Sequence, residues 1–171
     1  MVTRYYITRN LRSLKRKYDR SKTQAEPLYY SKLAIIELCG WIETSLDEIF
    51  EANAPKFANE RRYSNNFAAR LKKTYGFHEV SHLQPLIVAL VGYNGLEKLE
   101  ASCDRRLMGG LHRNLNELTE MRNRLAHTYI KGFGVTIESP QLILRRLENV
   151  ANGLDHFTEQ LDLLAVGLQD I

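Results

Sequence analysis

The sequence predicts an all-α protein, a helical bundle folded as one domain, and three observations carry that expectation. Apolar residues recur at the i, i+3, i+4, i+7 spacing that lines one face of a helix. Most proline and several glycine residues fall at the borders of those stretches, where helices start and stop. The third is size: 171 residues with 44% hydrophobic and 26% charged side chains suit one sizeable core. With no internal repeat, low-complexity tract or linker, residues 1–171 read as a single domain, with a basic N-terminal helix over 1–22 and a core bundle over 28–168.

Taken in order, the helices are expected near 2–21, 28–53, 57–75, 83–100, 104–128 and 140–167. Pro27 and Pro55 flank the second, and Gly76 closes the third. Ser81, followed three residues later by Gln84 and then by Pro85, has the form of a capping box with a first-turn proline opening the fourth. That fourth segment carries two readings, because the run from Leu86 to Val91 also suits a buried strand, and Gly92 and Gly95 weaken a helix beyond it. The last is the clearest: Ile143, Leu147, Val150, Leu154, Phe157, Leu161, Leu164 and Leu168 form one apolar stripe. Ahead of it, residues 131–140 form a glycine-containing connection whose Phe133 either stacks on a substrate base or covers the bundle end.

Charge is unevenly spread. Residues 1–22 hold eight Lys and Arg against one acid, Asp19, a local +7 that leaves −3 for the rest of a chain whose net charge is +4. Arg9, Arg12, Lys15 and Arg16 can follow a phosphate backbone while Tyr5, Tyr6 and Tyr18 stack on bases; the alternative is a solvated helix face that pairs with acids of the core. A second cluster, Arg61, Arg62, Arg70, Lys72 and Lys73, reads first as a solvated face.

The segment Arg122-Asn123-Arg124-Leu125-Ala126-His127-Thr128-Tyr129 holds the chemistry. Cleaving RNA by internal attack requires a group that takes the ribose 2′-hydroxyl proton and a group that neutralises the crowded phosphorane. An imidazole, with an unperturbed pKa of about 6.5, exchanges protons near neutrality, and a guanidinium offers a fixed fork of donors to phosphate oxygens. Asn123 adds neutral donors and an acceptor, and Arg124 adds a further cation for nucleic acid.

On a helical wheel with Arg122 at the origin, Ala126 falls near about 40°, Asn123 near about 100° and His127 near about 140°. Leu107, Leu111, Leu115, Leu118, Met121 and Leu125 gather between about 260° and about 20°, the core-facing stripe, so His127 points away from the core. His112, Asn116, Thr119, Glu120 and Asn123 then form an outward polar strip suited to packing on a second copy. Without a partner chain or a helix end, Arg122 and His127 diverge. A plainer reading has His127 capping its helix and Arg122 pairing with Glu43 or Asp47 across the bundle. Among the acids of the second segment, Glu37, hemmed by apolar neighbours, is the candidate to orient the site.

Arg122-Asn123 followed by His127 resembles the signature of the HEPN superfamily of small all-α proteins, and the run Leu33 to Phe50 resembles the first core helix of a subgroup from prokaryotic defence loci. The resemblance spans roughly residues 31–164. It implies an HEPN-like bundle, here with an extra basic N-terminal helix, that forms a homodimer with two motifs facing across a cleft. It also implies metal-independent endoribonuclease activity, of toxin or anti-phage type, with Arg122, Asn123 and His127 as catalytic residues and no cofactor. His127-Thr128-Tyr129 further matches the form seen in toxins whose nucleotidyltransferase antitoxin modifies the tyrosine, which makes Tyr129 the regulatory position. Other members only bind RNA or a defence partner protein.

Other chemistries find no support. His78, His82, His112, His127 and His156 are scattered, and His78 and His82 lack the glutamate of a zinc protease, so no metal site is expected. No nucleotide-binding or serine-hydrolase motif occurs. Cys39 and Cys103, with no secretory leader, suit a reducing cytoplasm, and the longest apolar run, Leu86 to Val91, is too short for a membrane span.

Overall fold

A computed structural model of the chain describes residues 2–57, 61–126 and 136–169. Among them are six α-helices and no strand: α1 (Tyr5–Asp19), α2 (Glu26–Phe57), α3 (Arg61–Leu71), α4 (Gln84–Ser102), α5 (Arg105–Ala126) and α6 (Pro140–Gln169), with a π-helical turn over Glu79–Leu83 leading into α4. The all-α expectation therefore holds.

α2 is the spine. At 32 residues it runs about 48 Å and packs against each of the other five helices. Pro27 sits in its first turn, where a missing N–H has no intrahelical partner to lose. Its far end departs from expectation, because the helix continues through Pro55 to Phe57. Glu51 and Pro55 both lie on the solvent side of that last turn, so water can satisfy the carbonyl that the proline leaves unbonded. The core joins Leu38, Ile42 and Phe50 of α2 to Leu111, Leu115 and Leu118 of α5 and to the α6 stripe from Ile143 to Leu161. Phe50 meets Phe157 edge to face with centroids 6.1 Å apart and Phe67 of α3 at 5.9 Å, geometries that suit the ring quadrupoles.

The strand alternative for the fourth segment is overturned: residues 84–102 are helical, with Leu86 and Ile87 buried. Gly92 breaks the helix into two pieces at φ 73°, a conformation that glycine adopts without a Cβ clash. The start of α4 also differs from the capping-box reading. Ser81 lies inside the π turn, and the cap is His78, whose Nδ1 is 3.5 Å from the Ser81 N–H and 3.0 Å from the Ser81 hydroxyl. An imidazole nitrogen accepts the orphan backbone donor and moves the helical path upstream. Likewise α3 ends at Leu71 rather than at Gly76, which instead makes a turn at φ 123°.

α1 lies across α2 and α6, its Ile7, Leu11 and Leu14 buried. The indole N–H of Trp41 donates to the Thr3 carbonyl at 2.9 Å, and Arg4 is paired with Asp155 and bonds Asn152 at 3.1 Å. Asp104 caps α5 by accepting from the Arg106 and Leu107 N–H groups, each at 2.8 Å.

Candidate functional site

Arg122 and Asn123 occupy the last turns of α5, on the bundle surface next to α2. Three contacts hold the guanidinium. It is ion-paired with Glu43 of α2, its Nη2 lies 3.5 Å from Asn123 Oδ1, and its carbon stands 5.3 Å from the centroid of the Phe77 ring. Phe77 is fully buried and acts as a shelf on which the cation stacks. Of the two acids foreseen as partners for Arg122, Glu43 is the one that meets it. Asp47, one turn further, lines a pocket of about 130 Å³ together with Glu43, Phe50, Tyr75 and Phe77. Burial, with Glu51 and Glu43 close by, pushes the Asp47 carboxyl above its ordinary range.

The expected partner Glu37 is elsewhere. Its carboxylate accepts from Asn10 of α1 at 3.1 Å, because residue 37 points toward α1 on the long α2 surface. His127 and Tyr129, like Phe133, lie outside the described residues. Arg124 is exposed beside Asn123.

Sequence reasoning missed two histidines at this place. The turn through Gly76 and Phe77 brings His82 close enough to Arg122 for the guanidinium to act on its charge. Burial first, then the neighbouring His78 and Arg122, lower the His82 pKa, while Glu43 opposes them. Ser81 Oγ stands 3.0 Å from His78 Nδ1 and 3.5 Å from His82 Nδ1. No sequence spacing links residues 78–82 to Arg122. The only available signal was Gly76, read as a helix terminator.

The outward strip expected on α5 is mostly covered by the protein itself. Glu79 receives His112 Nδ1 at 2.8 Å and Asn116 Nδ2 at 3.2 Å, while its own N–H donates to Asn116 Oδ1 at 3.0 Å. Thr119 is buried and its hydroxyl has no hydrogen-bond partner among the described residues. Glu120 and Asn123 are the members of the strip that stay exposed, while His112 and Asn116 are half-buried. The wheel is blind to a turn that arrives from elsewhere in the chain.

Arg146 was also unforeseen. Its guanidinium holds Glu138 through Nε and Nη2 at 2.7 and 2.6 Å, Glu117 at 2.7 Å and Asn114 Oδ1 at 2.9 Å. It ties the approach to α6 to the middle of α5. The signal was an arginine next to the apolar stripe, three residues after Ile143.

On α1, Arg9, Arg12 and Arg16 are exposed on the side opposite Ile7, Leu11 and Leu14, whereas Lys15 pairs with Asp19 at 2.5 Å. Arg16, Lys17 and Arg20 line a shallow groove with Ser13, Glu26 and Tyr30. In the second basic cluster, Arg62 stacks on Tyr63 at 5.0 Å, and Arg62, Arg70, Lys72 and Lys73 are exposed. Cys39 is buried against the Leu118 carbonyl, its pKa pushed up to about 12 chiefly by burial, which leaves it no thiolate for chemistry. Cys39 and Cys103 are both free thiols. Among the described residues, no helix is long and apolar enough to cross a membrane, and no three His, Cys, Asp or Glu side chains are placed to hold a metal ion.

Comparison with known proteins returns no matching family model, no matching curated protein and no matching solved structure.

Proposed function

We propose that this chain is an HEPN-like endoribonuclease that cleaves RNA without a metal ion, in which Arg122 stabilises the phosphorane, Asn123 positions the substrate and His127 moves protons. The single observation that supports this best is the placement of Arg122. A guanidinium sits at a surface between α2 and α5, stacked on a buried ring and within electrostatic reach of the His82 imidazole, where an approaching phosphate can exchange with the Glu43 carboxylate. The products on this reading are a 2′,3′-cyclic phosphate and a 5′-hydroxyl. The exposed Arg9, Arg12 and Arg16, with Lys15 and Arg124, offer positive charge for the RNA backbone. Two protomers would bring two motifs together in a homodimer.

A second reading has a specific observation in its favour. In the structure Arg122 is already neutralised by Glu43, as in a non-catalytic module that only binds RNA or a partner protein. Incubation of the purified protein with tRNA in EDTA separates the two. Discrete fragments from wild type and none from a folded His127→Ala variant support the enzyme, and binding without turnover in both supports the module. A toxin restrained by a nucleotidyltransferase antitoxin at Tyr129 would show a nucleotide adduct on that residue by mass spectrometry after co-production with such a partner.

A further inference from the structure

We propose that His82 is a second proton-transfer residue of the Arg122 site, the base that takes the 2′-hydroxyl proton of a bound ribonucleotide, an assignment that rests on the endoribonuclease reading above. Internal attack on a phosphodiester needs two proton transfers, one from O2′ and one to the leaving O5′. The Arg-Asn-x3-His motif supplies one imidazole.

The geometry that adds another is made by two adjacent residues. Phe77 carries the Arg122 guanidinium on its ring. Gly76 lies against the His82 imidazole so closely that a Cβ built on it would stand 3.1 Å from Cε1 and 3.4 Å from both ring nitrogens. With φ at 123°, Gly76 holds a turn that side-chain-bearing residues rarely adopt. One tight turn thus fixes an arginine and a histidine that are 40 positions apart in sequence. Ser81 Oγ stands 3.5 Å from Nδ1, so Nε2 is the nitrogen assigned to substrate. Burial first, then His78 from its own turn and Arg122 from α5, hold the imidazole neutral to lower pH than usual, against the opposing charge of Glu43 from α2. A base must be neutral to act.

In the step assigned to it, His82 Nε2 takes the proton from O2′ as the O2′ electron pair forms a bond to phosphorus. Arg122 holds the non-bridging oxygens, and the bond from phosphorus to O5′ breaks. O5′ takes up a proton, the task left to His127. Atoms and charge balance with no further reagent, and His82 ends protonated.

The test is the pH profile of single-turnover cleavage of a fluorescent oligoribonucleotide by the full-length protein. For His82→Asn we expect a loss of about 10²-fold or more near neutrality, an acid limb that flattens, and unchanged affinity for the 2′-deoxy oligonucleotide. A rate within about threefold of wild type, or a lower rate with the acid limb in place, overturns the assignment. Carbethoxylation of the unmodified protein gives an independent reading: the 2′-deoxy oligonucleotide should slow modification of His82, and unaltered modification counts against it. Wild-type protein inert on every RNA removes the ribonuclease reading together with this one, whereas an active wild type with an unmoved limb removes His82 alone.

Discussion

Arg122 on α5 and Glu43 on α2 form an ion pair across the bundle, with the arginine side chain 23% and the glutamate 37% exposed. A pair this accessible is screened, so it contributes at most about 1 kcal/mol to stability. Its larger consequence is competition. Any phosphate that reaches Arg122 meets a carboxylate already there.

Glu43→Gln removes that competitor while preserving the shape of the side chain. The variant should bind a 2′-deoxy oligonucleotide several-fold more tightly by fluorescence anisotropy, with a stability change under about 1 kcal/mol. Weaker binding would mean that Glu43 positions the guanidinium for its ligand instead.

Thr119 offers a test of the packing. Its buried hydroxyl has no hydrogen-bond partner among the described residues, and leaving such a group unsatisfied costs about 1–3 kcal/mol. Thr119→Val replaces it with a methyl of nearly the same shape and should raise stability by about 1 kcal/mol in urea titration. A loss of stability would show that the hydroxyl is satisfied in solution.

Asp47 makes a pH-dependent prediction. Its carboxyl is raised in the folded protein by burial and by Glu51 and Glu43, so folding is penalised once the group is charged. The penalty is absent below the unfolded pKa of about 3.9 and fully present above the raised folded value. Asp47→Asn should therefore raise the melting temperature at pH 7 and leave it unchanged near about pH 3. An equal gain at both pH values would assign the effect to something other than charge.

Arg146 joins Glu138, Glu117 and Asn114 in one network. Removing one partner of a buried pair costs about 3–5 kcal/mol, but Glu117 is 43% exposed and regains water, so Arg146→Met should cost about 2 kcal/mol. Hydrogen exchange should quicken at the start of α6. An unchanged melting curve would remove Arg146 from the account of the fold.

The amphipathic helices were legible in the sequence because their burial is local and periodic: the α6 stripe and Pro27 at the start of α2 are where spacing put them. Glu43 beside Arg122 was also within reach, as one of two acids on the right face of α2. What could not be read depended on contacts between segments. His78 capping its own turn, the helix running through Pro55, and Glu79 covering His112 and Asn116 all need the folded neighbourhood. Glu37 was misread for the same reason, since its apolar surroundings do not say which helix it faces. The turn at Gly76, at positive φ, packs on His82 while the adjacent Phe77 carries Arg122, a juxtaposition that no sequence spacing announces.

The central claim is that the Arg122 guanidinium serves phosphodiester chemistry rather than only the Glu43 pair. The direct measurement is cleavage of tRNA in EDTA by wild type and by Arg122→Ala and Arg122→Lys, with folding followed by circular dichroism. The account predicts discrete fragments ending in 2′,3′-cyclic phosphate from wild type, none from the alanine variant, and little from lysine, which keeps the charge but loses the fork of donors. Cleavage by folded Arg122→Ala at the wild-type rate would contradict it.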